Sequence, residues 1–167
     1  HNLFFDADFK IHSEEIYTSK KWPTDPLFYM SAPSVTDDTI APDGHENLFI
    51  LIPIAPDLED TEAIREHYFS RVLERIKMIT GEDLQDRIVY KRSYCVKDFK
   101  ADYHSFQGNA YGLANTLRQT AFMKPKMKSR KLDNLYFTGQ LTVPGPGIPP
   151  ALISGQIVAR EVMKNYA

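Results

Sequence analysis

The stretch Asn134–Val162 reads NLYFTGQLTVPGPGIPPALISGQIVAREV, and the fold expected at this end of the chain follows from it. Leu135 to Thr138 is a short apolar run with two aromatics, the composition of a buried strand. Gly139 ends the run, and Pro144-Gly145-Pro146-Gly147 forbids any regular element. From Pro149 the pattern is helical. Pro149 and Pro150 suit a first turn, where a missing N–H costs little, and Ala151, Gly155 and Ala159 recur every fourth residue. One helix face is therefore almost bare and can lie close to a strand or a ligand. Strand, glycine turn and helix in this order aim a helix N-terminus at whatever lies over the strand end. Its free N–H groups and partial positive charge suit an anionic or electron-accepting ligand.

Gly145-x-Gly147 has the start of a dinucleotide-binding fingerprint, but Pro150 stands where a third glycine is needed. The distance from strand to helix is also too long for that motif's tight turn. The bland alternative is a glycine- and proline-rich connection before a closely packed helix.

Upstream, Asn2 to Phe5 reads as a strand and Phe9 to Tyr17 as a short amphipathic helix with Phe9, Ile16 and Tyr17 on its apolar side. Leu27 to Ala32 is a strand between two prolines, and Leu48 to Ala55 the most strand-like run, with Pro53 at its end or on an edge. Asp60 is the expected N-cap of a helix from Thr61 to Thr80, stopped by Gly81. Its apolar stripe is Ile64, Tyr68, Val72, Ile76 and Ile79, with Arg65, Glu66, Arg71, Glu74 and Lys77 facing water. Arg87 to Tyr94 reads as a further strand, and Val96 to Tyr103 and Leu113 to Phe122 as short helices around a glycine loop. The order lacks the regular alternation of a parallel sheet. It predicts an α+β fold, a mixed β-sheet with packed helices.

At 167 residues the chain is one domain's length. Hydrophobic residues make up 43% and charged residues 25%, with net charge −2, an ordinary globular balance. No basic stripe interleaves with aromatics, which argues against nucleic-acid binding. The one basic run, Lys124 to Lys131, reads as a solvated loop or a contact with a membrane surface. Cys95 is the single cysteine, so an internal disulfide is excluded and a reducing compartment expected. The histidines are scattered, and no metal site is expected. No apolar run is long enough to span a bilayer, and nothing reads as a signal peptide.

These motifs together resemble the carotenoid desaturases, specifically bacterial phytoene desaturases (phytoene dehydrogenases). That family ends in a strand of NLYFVG type, a THPGxGxP-like turn and a small-residue helix. The likeness continues through Asp25-Pro26-Leu27-Phe28-Tyr29, Pro33-Ser34-Val35-Thr36-Asp37, Ala41-Pro42-Asp43-Gly44 and the apolar strand Leu48 to Pro53. Tyr103-His104-Ser105-Phe106-Gln107-Gly108-Asn109-Ala110-Tyr111-Gly112 matches the family's late glycine loop. Val143 replaces the histidine of the THPG turn, so no proton-transfer role passes to that position. The strand–GxGxxG–helix unit with which the family holds the adenosine diphosphate part of FAD is absent from this sequence. The resemblance therefore implies a C-terminal fragment, inactive alone, whose partner is the missing N-terminal part of the same enzyme. Residues 1–133 would belong to a substrate-binding domain, and 134–167 would be the C-terminal segment of a FAD-binding domain.

The implied reaction removes hydrogen from an acyclic carotene such as phytoene, with hydride passing to FAD and a proton leaving the neighbouring carbon. The flavin carries the difficult chemistry while protein groups orient it and tune it. Gly145, Gly147, Ile148, Ala151 and Leu152 keep N–H groups near the turn, and Gly147 and Ile148 are the foremost candidates for flavin contact. Gly139 and Gln140 would meet the ribityl and pyrophosphate portion. Gly108, Tyr111 and Gly112 are candidates for the wall of the polyene channel, with a core role as the plainer reading of Tyr111. No catalytic acid or base stands out. Asp37, Asp98 and His104 are explained as well by loop capping and ordinary hydrogen bonding. A lipid-soluble substrate without a spanning segment implies a cytoplasmic enzyme held peripherally at the membrane surface. Two alternatives stay open: a non-catalytic binding module, and a related flavin oxidoreductase or isomerase acting on another polyene or an amine.

Overall fold

Local hydrogen-bonding choices decide which expected elements form. The computed structural model describes residues 1–114 and 116–166. The chain divides into two compact units, His1–Val96 and Lys97–Ala167.

In the first unit, β1 (Asn2–Phe4), β2 (Phe28–Ser31) and β3 (Phe49–Leu51) form a three-stranded sheet in the order β1-β2-β3. Both pairings are antiparallel, with Phe4 opposite Phe28 and Met30 opposite Ile50. The two-residue side-chain period puts Phe4, Phe28, Met30 and Ile50 on one face and Leu3, Tyr29 and Leu51 on the other. The first face meets Val72 and Ile76 of α2 (Glu62–Thr80), and Ile52 and Leu84 complete this core. Phe4 and Phe28 stack with ring centroids 4.2 Å apart.

Thr61, not Asp60, caps α2: its hydroxyl accepts the Ile64 N–H at 3.3 Å. The Asp60 carboxylate is instead taken by the Arg65 guanidinium through two bonds of 2.7 Å. Gly81 ends the helix at φ 79°, a conformation that costs glycine little, and its N–H reaches Lys77 O at 2.9 Å. The stripe reading holds for Val72 and Ile76, but Ile79 is exposed and Arg75 is buried. Arg75 donates to Asp6 and to Pro26 O, and its guanidinium lies 5.2 Å from the Phe28 ring centroid.

α1 (Phe9–Tyr17) forms as expected, but it turns Phe9 and Tyr17 to the outside and buries His12, Glu15 and Ile16. The two polar residues go inside because the fold satisfies them. His12 Nδ1 accepts the Leu27 N–H at 2.8 Å, and Nε2 lies 3.1 Å from Pro53 O. Glu15 accepts from the Thr24 amide and hydroxyl and pairs with Lys21. Burial works against its charge, but those partners outweigh it and hold the carboxyl below its ordinary value.

The hydrogen bond from Arg75 is the main cause that holds the Asp6 carboxyl below the ordinary carboxylate range. A depressed folded-state pKa adds stability above the unfolded value, about pH 4, that is lost as pH falls through the folded value. Asp6→Asn should therefore lower stability at neutral pH and flatten its fall on the acid side. Urea midpoints measured from neutral pH down to pH 3 check this; parallel curves for both proteins would contradict it.

Two expected elements do not form. Arg87 to Tyr94 is not a strand: a 3-10 turn, Gln85–Arg87, precedes irregular chain. Val89 and Tyr90 are exposed, and side chains hold this segment to α2. Lys91 pairs with Glu66 and lies over the Phe69 ring at 4.5 Å, while Arg65 Nη1 donates to Ser93 Oγ at 3.2 Å. Strand-forming residues without a backbone ladder stay irregular.

The second unit carries α3 (Val96–Tyr103), which starts at the unit boundary, and α4 (Ile148–Tyr166). Leu113 to Phe122 does not make the expected helix among the described residues; Asn115 lies outside them. Local bonds compete with the helical ladder: Ala114 N to Gln119 Oε1 at 3.2 Å and Gln119 N to Thr116 O at 2.8 Å. Only a 3-10 turn, Ala121–Met123, remains. Leu135 to Thr138 is reduced to one antiparallel bridge, Tyr136 with Lys128.

Among the described residues, then, the fold is mixed α and β, with four α-helices and one small sheet that is wholly antiparallel.

Candidate functional site

The second unit assembles the glycine turn from three attachments. The run before it is pinned on one edge, where Ser129 N donates to Leu135 O at 2.9 Å and Phe137 N to Met127 O at 2.6 Å. At Gly139 the backbone takes φ 103°, in the left-handed half of the map that favours glycine. Its N–H donates to Ser154 Oγ at 2.7 Å, and Thr138 Oγ1 lies 2.7 Å from the same oxygen. Ser154 is fully buried and donates to Ala151 O at 2.6 Å, so one hydroxyl ties the extended run to the first turns of α4. Thr142 closes the next turn, its buried hydroxyl donating to Gly139 O at 2.9 Å.

Beyond the cis Val143–Pro144 peptide, Gly145 and Gly147 take φ 143° and 105°. Ile148 begins α4, and Pro149 and Pro150 fall in its first turn. The Ala151 N–H is used by Gly147 O at 3.0 Å, and Leu152 follows inside the helix. The Gly147 and Ile148 amides have no acceptor among the described residues. Ile148 is 79% exposed and Leu152 is exposed beside it, so this helix end presents two N–H groups rimmed by apolar surface.

The glycine loop lies against this turn. Gly108 is buried, with φ 67° and its N–H on Ser105 O at 3.0 Å. Gly112, at φ 80°, donates to Asn109 Oδ1 at 2.5 Å. A Cβ on Gly112 would stand 2.2 Å from Leu141 Cδ2 and 3.9 Å from Gln140 Cγ. Gln140 and Gly112 are therefore neighbours, which the sequence did not reveal. Tyr111 is exposed, contrary to a core role.

The remaining candidates are plain. Asp37 caps its own loop, accepting from the Thr39 hydroxyl at 2.6 Å and amide at 3.0 Å; the hydroxyl first, then the amide, hold its carboxyl below the ordinary value. Among the described residues no cluster of histidine, cysteine or carboxylate could hold a metal ion. No helix among them is long and apolar enough to cross a membrane.

Sequence reasoning missed Ser154, Thr142 and Lys124. Ser154 left a faint signal, a hydroxyl beside the small-residue face of Ala151, Gly155 and Ala159. Lys124 left none, since it opens a basic run whose members Lys126, Lys128, Arg130 and Lys131 are exposed while it is 6% exposed. Its side chain packs under the turn: a Cβ on Gly145 would lie 3.4 Å from Lys124 Cε and 4.0 Å from Nζ. Leu113, Phe122, Met123, Lys128 and Phe137 line an open groove of about 780 Å³ that Lys124 also borders.

The chain matches no known family profile. It is 47% identical, over all of its 167 residues, to the carotenoid 3,4-desaturase of Haloarcula japonica. It is 34% identical over 173 aligned residues, 99% of its length, to the 4,4'-diapophytoene desaturase (4,4'-diaponeurosporene-forming) of Staphylococcus aureus. In both cases the matched part is 34% of the relative, so the chain spans about a third of the length of these proteins.

Proposed function

We propose that the chain, similar over its whole length to carotenoid desaturases, is the C-terminal part of a FAD-dependent enzyme of that family, removing hydrogen from a long acyclic carotene such as phytoene. The fragment alone is inactive in this reading, since it needs the N-terminal part of the same enzyme. Residues 1–133 contribute to substrate binding and residues 134–167 return to the flavin.

The observation that carries the reading is the turn from Gly139 to Ile148, whose last two amides take no acceptor among the described residues, with a glycine loop packed against it. This arrangement fits a flavin. Gly145 and Gly147 allow close backbone approach, and the Gly147 and Ile148 N–H groups suit an electron-rich ring edge. When bound, FAD supplies the electron-accepting chemistry. The chain's own part is to orient and to exclude: Ser154 and Thr142 hold the turn, Gly139 and Gln140 sit where the ribityl and pyrophosphate portion would lie, and Gly108, Tyr111 and Gly112 flank the polyene. Ala151 and Leu152 shape the helix end, because the Ala151 amide is already used.

The proposed site of action is the cytoplasmic membrane surface. Its support is the substrate class and the exposed Lys126, Lys128, Arg130 and Lys131, beside Phe122 at 86% exposure.

The deciding experiment uses the complete enzyme with FAD, phytoene and lipid vesicles, followed by product analysis and co-sedimentation. New conjugated double bonds formed only with FAD support the reading. An enzyme that binds no FAD, or leaves every carotene unchanged, refutes the function. One that never sediments with any vesicle refutes the membrane contact.

A further inference from the structure

Resting on the reading that this chain works at a membrane surface, we propose that the groove lined by Phe122, Met123, Lys126 and Arg130 holds one anionic phospholipid of the bilayer. Its volume, about 780 Å³, lies within the range of about 300–1,000 Å³ usual for small-molecule sites. The lining divides by chemistry. Leu113, Phe122, Met123 and Phe137 are apolar, and Phe122 and Met123 are exposed, which is unfavourable in water. Lys126, Lys128, Arg130 and Lys131 are basic, and no Asp or Glu is among the described residues of the lining. None of these four makes an ion pair among the described residues. Lys128 lies over the Tyr136 ring, 5.7 Å from its centroid, a contact that leaves its charge uncompensated. Lys124 also borders the groove but is buried and engaged within the fold, so the argument does not use it. The whole chain carries net charge −2, so this excess of cations is local.

Chain geometry gathers the charges. Ser129 N donates to Leu135 O and Phe137 N to Met127 O, which holds this run extended. Lys126, Lys128 and Arg130 recur at every second position, the period that sends side chains to one side of an extended chain. A neutral polyene would leave these charges without a counterpart. A phosphate alone would leave Phe122 and Met123 in water. An anionic phospholipid answers both, because its phosphate accepts hydrogen bonds from the ammonium and guanidinium groups while its acyl chain covers the apolar lining.

The test is co-sedimentation of the complete enzyme with vesicles of phosphatidylcholine alone and of phosphatidylcholine with phosphatidylglycerol. Partition onto the anionic vesicles should be stronger by at least about tenfold, and the double variant Lys126→Gln, Arg130→Gln should weaken it by about twentyfold. Lys10→Gln with Lys20→Gln removes the same charge from exposed positions of the other unit and should leave the preference in place. An equal fall in both double variants overturns the inference, since net charge and not the groove would then act. Phe122→Ser, at an exposed position that does not threaten the fold, should weaken binding at unchanged charge. Full binding by Phe122→Ser overturns the amphiphile, because the cations would then serve any polyanion. Equal partition of the parent enzyme onto both kinds of vesicle overturns the inference and leaves the membrane contact standing. Partition onto neither kind removes the membrane contact itself, and the inference with it.

Discussion

Leucine at position 147 of the complete enzyme should weaken FAD binding by at least about a hundredfold, roughly 2.7 kcal/mol. Two effects act together. Gly147 sits at φ 105°, a conformation that strains any residue with a Cβ. A side chain would also stand beside the Gly147 and Ile148 amides, where the proposed reading brings a ring edge. The fold itself does not forbid the substitution, since a Cβ there meets only Pro150 at 3.6 Å, an ordinary contact. Gly44→Leu is the control for strain alone. Gly44 also has positive φ, 72°, and nothing within 4 Å of its would-be Cβ, but it lies in the other unit. Flavin fluorescence titration of both variants separates the effects. Equal losses in the two would mean that Gly147 contributes nothing specific.

Truncating Phe28 to alanine should lower stability by about 3–5 kcal/mol, the range for deleting a large buried aromatic. That is a large share of a typical domain stability of about 5–15 kcal/mol. Phe28 is almost fully enclosed in the central strand, where it stacks on Phe4 and sits under Arg75. Its loss opens the sheet where it meets Val72 and Ile76 of α2. Leu3→Ala is the comparison, since Leu3 lies in the same sheet but on the exposed face and should change stability by less than about 0.5 kcal/mol. Urea unfolding at constant slope measures both. Similar midpoints for the two variants would contradict the placement of the core.

Elements whose signals are local were legible in the residues. Phe9 to Tyr17, Val96 to Tyr103 and the helix ending at Gly81 follow from periodicity and stop residues within a few positions. So does the helix after the proline–glycine turn, because proline in a first turn and glycine before it act through their own backbone limits. The first three strands were also placed, with wider bounds. The resemblance in motif order singled out the turn and the glycine loop, each by itself, as candidates for the cofactor and the substrate channel.

Whatever depended on a distant partner could be decided only by tertiary structure. Arg87 to Tyr94 has strand composition, but among the described residues no strand completes its ladder. Asp60 had the chemistry of a cap, yet Arg65 competed for its carboxylate and left Thr61 to do the work. His12, Glu15 and Arg75 have polar side chains that composition assigns to the surface. They are inside because Leu27, Pro53, Thr24, Asp6 and Pro26 supply partners from elsewhere in the chain. The same holds at the site, where Gly112 against Leu141 and Lys124 beneath Gly145 are meetings across long loops. Backbone preference is local and can be read along the chain. Burial of a polar group is decided by partners whose distance along the chain gives no warning of their contact.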